Sequence, residues 1–240
     1  AWMWLLFLFI VALLLVLDLG VLHKGGEHEI GVAESLKLSA MYIALGLGFS
    51  GFVWWQIGAE ATANYLTAFV VEKTLALDNI FVIALIFGFF SVPRQYQHRV
   101  LFWGILGVIL LRGIMIGVGA TLVAQYSWLL YVFAVFLIFT GIKMLFSADT
   151  EHNVTENRFV RFLRGRFNVT EGLRGQAFFV KEPDPKTGRL TRFVTPLFLA
   201  LVMIELADLV FAVDSVPAVF TITTDPFIVY TSNIFAILGL

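Results

Sequence analysis

An all-α, polytopic membrane helical bundle is the fold class this sequence predicts, and three observations carry that prediction. Hydrophobic residues fill 60% of the 240 positions and charged residues only 14%, with mean hydropathy +0.91. Soluble domains carry about 45–50% and about 25% respectively. The apolar excess is gathered into runs of about 20 or more residues, the length a helix needs to cross a bilayer. No stretch shows the strict apolar–polar alternation of a membrane β-barrel. The absence of cysteine excludes disulfides and thiolate metal ligands in these residues.

Seven span starts are visible. Span one covers Trp2 to Leu22, with Asp18 near its end, and a polar loop follows. Span two runs from Leu38 to Ile57 and closes on Trp54 and Trp55, residue types that anchor helices at the membrane interface. Span three, Thr62 to Val92, contains Glu72, Lys73, Asp78 and Asn79 and stops before Pro93, since proline disfavours helical geometry in the residue preceding it. The loop PRQYQHR leads to span four, Leu101 to Ala124, with Arg112 at its middle. Trp128 opens span five, which reaches Phe146 with Lys143 near its end. Span six lies between Val194 and Ile222, and Asp225-Pro226 turns the chain into span seven. The chain stops while span seven is still apolar, so the native protein is expected to continue.

Three sequence regions result: a first membrane part, residues 1–147; a hydrophilic segment, 148–193; and a second membrane part, 194–240. Within the middle region, Asn157 to Phe167 places Phe159, Phe162, Leu163 and Phe167 on one helical face among arginines, the pattern of a basic amphipathic helix on a membrane surface. Further on, AFFVK and RLTRFV flank PDPKTG and read as a small β-hairpin. Loops after spans one, three and five hold thirteen Lys/Arg residues, and those after spans two, four and six hold none. The positive-inside rule therefore puts the basic loops in the cytoplasm and the N-terminus outside.

The chemistry lies in the intramembrane acids. An ionisable residue at the centre of a span costs about 2.5–3.5 kcal/mol on insertion scales. Asp18, Glu72, Asp78, Glu205, Asp208 and Asp214 lie in or near spans, against Lys73, Arg112 and Lys143. Even if every base pairs, carboxylates remain that must be protonated or face a cation. Spans three and six also resemble each other: EKTLALDNIF against DLVFAVDSVP. Glu72 precedes Asp78, and Asp208 precedes Asp214, by the same interval, and Asn79 or Ser215 follows. An odd number of crossings separates the two spans, so they point in opposite directions. That is the signature of an inverted repeat of three-span units with a site at the midplane. Two acids six residues apart are about 120° apart on a straight helix. Pro217, which removes the hydrogen bond to the Val213 carbonyl, predicts a broken helix that supplies a free carbonyl beside Asp214. The candidate metal ligands are Glu72, Asp78, Asn79, Glu205, Asp208, Asp214 and Ser215. An all-oxygen set of this kind suits Mg²⁺, Ca²⁺ or Mn²⁺.

The stretches LDLG (17–20), EKTLALDNIFV (72–82), VPRQYQHRVLFWG (92–104), TGIKM (140–144), TPLFLALVMIELADLVFAVDSVPA (195–218) and TDPFIVYTSNIFAILGL (224–240) resemble the motifs of the TerC/Alx family of integral membrane proteins. The resemblance covers nearly every span and implies manganese export from the cytoplasm and kinship with LysE-like exporters. The family's membrane acids fall on Glu72, Asp78, Glu205, Asp208 and Asp214.

The expected function is thus a secondary transporter that exports Mn²⁺ through an acidic site between spans three and six, with proton counter-transport in keeping with the surplus of acids. Mn²⁺ is the transported substrate, and no tightly bound cofactor is expected. A cell (inner) membrane location follows, with the lipid bilayer, a membrane partner protein or a second copy as partners and no nucleic acid. No Gly-rich phosphate loop is present, and the protein is not expected to be an enzyme. Two alternatives stay open: a membrane scaffold or assembly factor whose acids are structural, and an exporter of another solute.

Overall fold

The computed structural model describes residues 2–23, 32–146, 167–183 and 188–238. Seven helices and one hairpin stand among them: α1 Trp2–His23, α2 Val32–Gln56, α3 Ala59–Phe89, α4 Arg94–Gln125, α5 Leu129–Phe146, β1 Phe179–Pro183, β2 Leu190–Val194, α6 Pro196–Phe220 and α7 Pro226–Leu238. The all-α membrane architecture holds. By length and composition, α2 (from Ser35), α4 and α6 are apolar enough to cross a bilayer. At 31 residues α3 is about 46 Å long, but its centre carries charge. The segment 147–166, which includes most of the expected amphipathic helix, lies outside the described residues.

Burial follows helical periodicity. On α4 the buried positions Val100, Gly104, Val108, Arg112, Ile116 and Ala120 recur every fourth residue, forming one ridge along the helix. The outer face of the same helix, Leu110, Ile114 and Val118, is exposed. So are Phe81 and Leu85 on α3, and Tyr131, Val135, Ile138 and Phe139 on α5. An outer surface this apolar suits lipid and not water. In contrast, α7 is buried from Phe227 to Leu238. It is buried all round because it packs against α2, α3 and α4 at once.

Boundaries moved where the sequence showed only apolar runs. The expected loop PRQYQHR is helical: α4 begins at Arg94, directly after Pro93. Proline at the position before the first turn loses nothing, because the N–H it lacks would have no helical partner there. Between α2 and α3 the chain turns through Gly58 at φ 115°, a conformation that favours glycine.

A larger correction concerns the helix break expected at Pro217, which does not occur. α3 is continuous past Asp78, and α6 is continuous through Pro217 to Phe220. Pro217 sits one turn from the end, so only one helical bond is lost. The last turn is closed by the Thr221 N–H donating to the carbonyls of Pro217 and Ala218, both 3.3 Å. Burial of Val216, Pro217, Val219 and Phe220 holds that turn in the core.

The hairpin forms as expected, antiparallel with Phe179 opposite Val194 and Pro183 opposite Leu190. It docks on one end of the bundle. Val194 joins a buried cluster with Phe87 of α3, Phe90 just after it, Val100 of α4 and Leu197 of α6, and Phe178 packs against it. The Arg99 guanidinium lies 5.3 Å from the Phe178 ring centre and that of Arg192 4.5 Å from Phe179. Arg174 pairs with Glu182 at 2.5 Å, which draws the Glu182 carboxyl below its ordinary range. At the opposite end, Trp4 packs on Phe227 and Trp2 on Phe52.

The start of α7 is fixed by Asp225, whose Oδ1 accepts from the Phe227 N–H (2.8 Å) and the Ile228 N–H (3.4 Å). Asp225→Ala removes this cap and is expected to cost about 1 kcal/mol. A thermal melt in detergent that matches the wild type would contradict that assignment.

Candidate functional site

Four helices deliver polar side chains to the middle of the bundle, and an arginine joins them. Arg112 lies near the centre of α4 and is only 1% exposed. Its Nε and Nη2 donate to Asp208 Oδ2 and Oδ1 of α6 at 3.1 and 2.8 Å, a two-point fork. Its Nη1 donates to Glu72 Oε1 of α3 and to Asn233 Oδ1 of α7, the latter at 2.9 Å. Ser215 Oγ of α6 lies 3.5 Å from the same nitrogen. Glu72, Asp208, Ser215 and Asn233 are all buried.

The local sequence explains the convergence. Glu72 and Asn79 are seven residues apart on α3, as are Asp208 and Ser215 on α6, and seven residues make nearly two whole turns. Each pair therefore shares one buried face. Asp208 and Asp214 are about 120° apart, and Asp214 is accordingly only half-buried. The geometry thus gathers Glu72, Asp208 and Ser215 at one point and leaves Asp214 on a different face.

Charge within this centre is unbalanced. Two carboxylates meet one guanidinium. Glu72 Oε2 has no hydrogen-bond partner, and neither have Asn79 Oδ1 and Glu205 Oε2. Among the described residues three orphaned buried atoms are acceptors, and the single orphaned donor is Asn233 Nδ2. Buried polar atoms without partners are rare and call for an explanation.

Glu205 stands one turn before Asp208 on α6. Its carboxylate lies against the backbone of α4 at Gly107, so close that a Cβ on Gly107 would collide with it. The nearby Gly104 faces Ile204 at 3.8 Å and Glu205 Oε1 at 3.9 Å, again measured from an added Cβ. Two glycines one turn apart thus form a notch in α4 for this acid.

Other interhelical bonds frame the centre. The Lys73 ammonium turns away from Glu72 and donates to the Ala236 carbonyl of α7 at 3.0 Å. Tyr230 of α7 donates to the Ile109 carbonyl of α4 at 2.9 Å, and Tyr65 of α3 to the Gly46 carbonyl of α2 at 2.9 Å.

Of the seven candidate ligands, the side chain of Asp78 lies outside the described residues, as do those of Asp18 and Lys143. Asn79 is buried but bonds to no member of the Arg112 group. Among the described residues, no three His, Cys, Asp or Glu side chains are placed to hold a metal ion together. In the sequence Arg112 counts only as a base that offsets the acids; in the structure it is their junction. The available signal was its place on the strict four-residue stripe of α4. Asn233 of α7 bonds across helices to the same guanidinium.

Comparison with known proteins fits the same picture. Residues 57–240 match the integral membrane protein TerC family. An uncharacterized membrane protein of Rickettsia bellii (strain RML369-C) is 47% identical over 237 residues, 99% of this chain and 76% of the relative. Another from Myxococcus xanthus is 45% identical over 238 residues, 99% of this chain and 72% of the relative. A protein of Escherichia coli (strain K12), provisionally named membrane-bound redox modulator Alx, is 43% identical over 242 residues, 98% of this chain and 74% of the relative. No solved structure matches the chain. A family match across most of the chain, with relatives well above 30% identity along nearly all of it, leads to one conclusion: the chain belongs to the TerC family of integral membrane proteins.

Proposed function

We propose that this protein is a secondary transporter that moves a divalent cation, Mn²⁺ in the first instance, out of the cytoplasm through the polar centre between α3 and α6. The observation that carries the reading is the surplus of buried acceptor oxygens. Glu72 Oε2, Asn79 Oδ1 and Glu205 Oε2 have no donor, and a bare oxygen at bilayer depth needs a proton or a cation. Oxygen-only ligands favour a hard cation of the Mg²⁺, Ca²⁺ or Mn²⁺ type. Manganese is chosen on the family resemblance.

Two features support alternating access. Glu72 of α3 and Asp208 of α6 reach the same guanidinium, as two halves of an inverted repeat would around a midplane axis. Asp78 and Asp214 occupy matching positions six residues on, and with Glu205 they supply the carboxylates that bind cargo or return protons. The basic hairpin and the start of α4 lie together at one end of the bundle. The positive-inside bias assigns that end to the cytoplasm.

A structural role for the acids, as in a scaffold, gains from the Arg112 group, which accounts for Asp208 and for one oxygen of Glu72. It does not account for the remaining orphaned acceptors. The name of the Escherichia coli relative speaks of redox modulation. With no cysteine among the 240 residues, thiol exchange is not open to them, and a redox effect would follow from the metal handled.

The test is Mn²⁺ flux in proteoliposomes. Wild type is expected to move Mn²⁺, and Asp78→Asn and Asp214→Asn are each expected to slow it by about tenfold or more while folding normally. Wild-type rates in both variants would take Asp78 and Asp214 out of the transport site. Competition by Mg²⁺ and Ca²⁺ in the same vesicles reports selectivity.

A further inference from the structure

The two carboxylates on Arg112 are not held alike. Asp208 receives two parallel N–H donors, from Nε and Nη2. Glu72 is held only through Oε1, and its Oε2 has no partner. The nitrogen that holds Glu72 is also over-subscribed. Nη1 has two hydrogens, yet Glu72, Asn233 and Ser215 all stand within 3.5 Å of it or closer. If Glu72 leaves, Asn233 and Ser215 can take both hydrogens of Nη1, and every guanidinium nitrogen keeps an acceptor. If Asp208 leaves, Nε and Nη2 lose their only acceptor. The two departures therefore have unequal consequences.

We infer that Arg112 and Asp208 form a fixed, neutral pair that is not a cargo ligand, and that Arg112 competes with the transported cation for Glu72 alone. This rests on the transporter reading above and divides its candidate ligands. In the structure Arg112 stands as a tethered cation against Glu72. When cargo arrives, Glu72 turns from Nη1 to the metal, while Asn233 and Ser215 replace it on the arginine. Because Glu72 belongs to α3 and Asp208 to α6, the exchange unties α3 from α6 at their midpoints. Cargo binding thereby loosens the link between the two halves that must move.

The experiment uses the full-length protein in detergent and reads Mn²⁺ affinity by titration, with a thermal melt as the folding control. Asp208→Asn leaves the arginine with Glu72 as its only carboxylate and is expected to weaken Mn²⁺ binding by about tenfold or more. Adding Arg112→Gln to Asp208→Asn frees Glu72 and is expected to recover about tenfold over the single variant. Glu72→Gln is expected to abolish binding in either background. A double variant that binds as poorly as Asp208→Asn would make Asp208 a direct ligand and overturn the inference. Should the double variant not fold, Arg112→Lys serves instead. Lysine keeps the charge on a single nitrogen that cannot bridge Asp208 and Glu72 as the fork does, so its hold on Glu72 is weaker and affinity rises; a folded Arg112→Lys protein with lowered affinity overturns the competition. Failure of wild type to bind Mn²⁺ at all would remove the transporter reading and this inference with it. Wild-type binding without recovery in the double variant removes only the inference.

Discussion

Arg112→Leu is expected to destabilise the protein by about 3–5 kcal/mol, the usual loss when one partner of a buried ion group is deleted. Leucine is a fair fit for the space, so packing is not the reason. The substitution leaves Glu72 and Asp208 buried, close together and without a counter-charge, and strands the Asn233 amide oxygen as well. Neither water nor lipid at that depth can replace five N–H donors. The loss should appear as a lowered melting temperature and poor recovery from the membrane. A control isolates the cause: replacing all three together, as Arg112→Met with Glu72→Gln and Asp208→Asn, removes the charges as a set. That triple variant should be more stable than Arg112→Leu, because burying a whole ion group contributes little net stability while breaking one is costly. A triple variant as unstable as the single one would show that shape, and not charge, governs this position.

Gly107→Val should have the next largest effect on folding, about 1–3 kcal/mol, the range for overpacking a well-filled core. A Cβ at this position meets the Glu205 carboxylate head-on, so the carboxylate must leave the notch and find another place in the buried bundle. Glu205→Ala in the same chain empties the notch. The pair should therefore couple: the loss from Gly107→Val shrinks by 1 kcal/mol or so when Glu205 is already alanine, a coupling normal for residues in contact. Additive losses would mean that Glu205 leaves the notch freely. Gly117 is a useful comparison, because an added Cβ there meets nothing within 4 Å; Gly117→Ala is expected to leave the melting temperature unchanged or raised, since alanine favours helix over glycine.

Local properties of the chain were enough for much of this. Long apolar runs define helices whatever surrounds them, because a backbone in lipid must satisfy its own hydrogen bonds. All seven span starts accordingly reappear as α1 to α7. The hairpin was legible for a similar reason, since β-branched and aromatic residues flank a Pro-Asp-Pro-Lys-Thr-Gly turn. What failed was local strain. Pro217 suggested a break, yet α6 is continuous. A missing bond near a helix end costs little when the residues around it are buried, and tertiary packing outweighs that penalty.

By itself, then, the sequence determined the helical membrane class, the order of the elements, the family motifs and the excess of acids in α3 and α6. Only the tertiary structure decided which acids meet, which oxygens of each remain bare, and that Arg112 is their junction. Periodicity tells which face a residue occupies but not what stands opposite it. Glu72, Arg112, Asp208 and Asn233 are separated by 25 to 161 positions in the chain, and a bond across such separations depends on how four helices pack, a property no single segment carries.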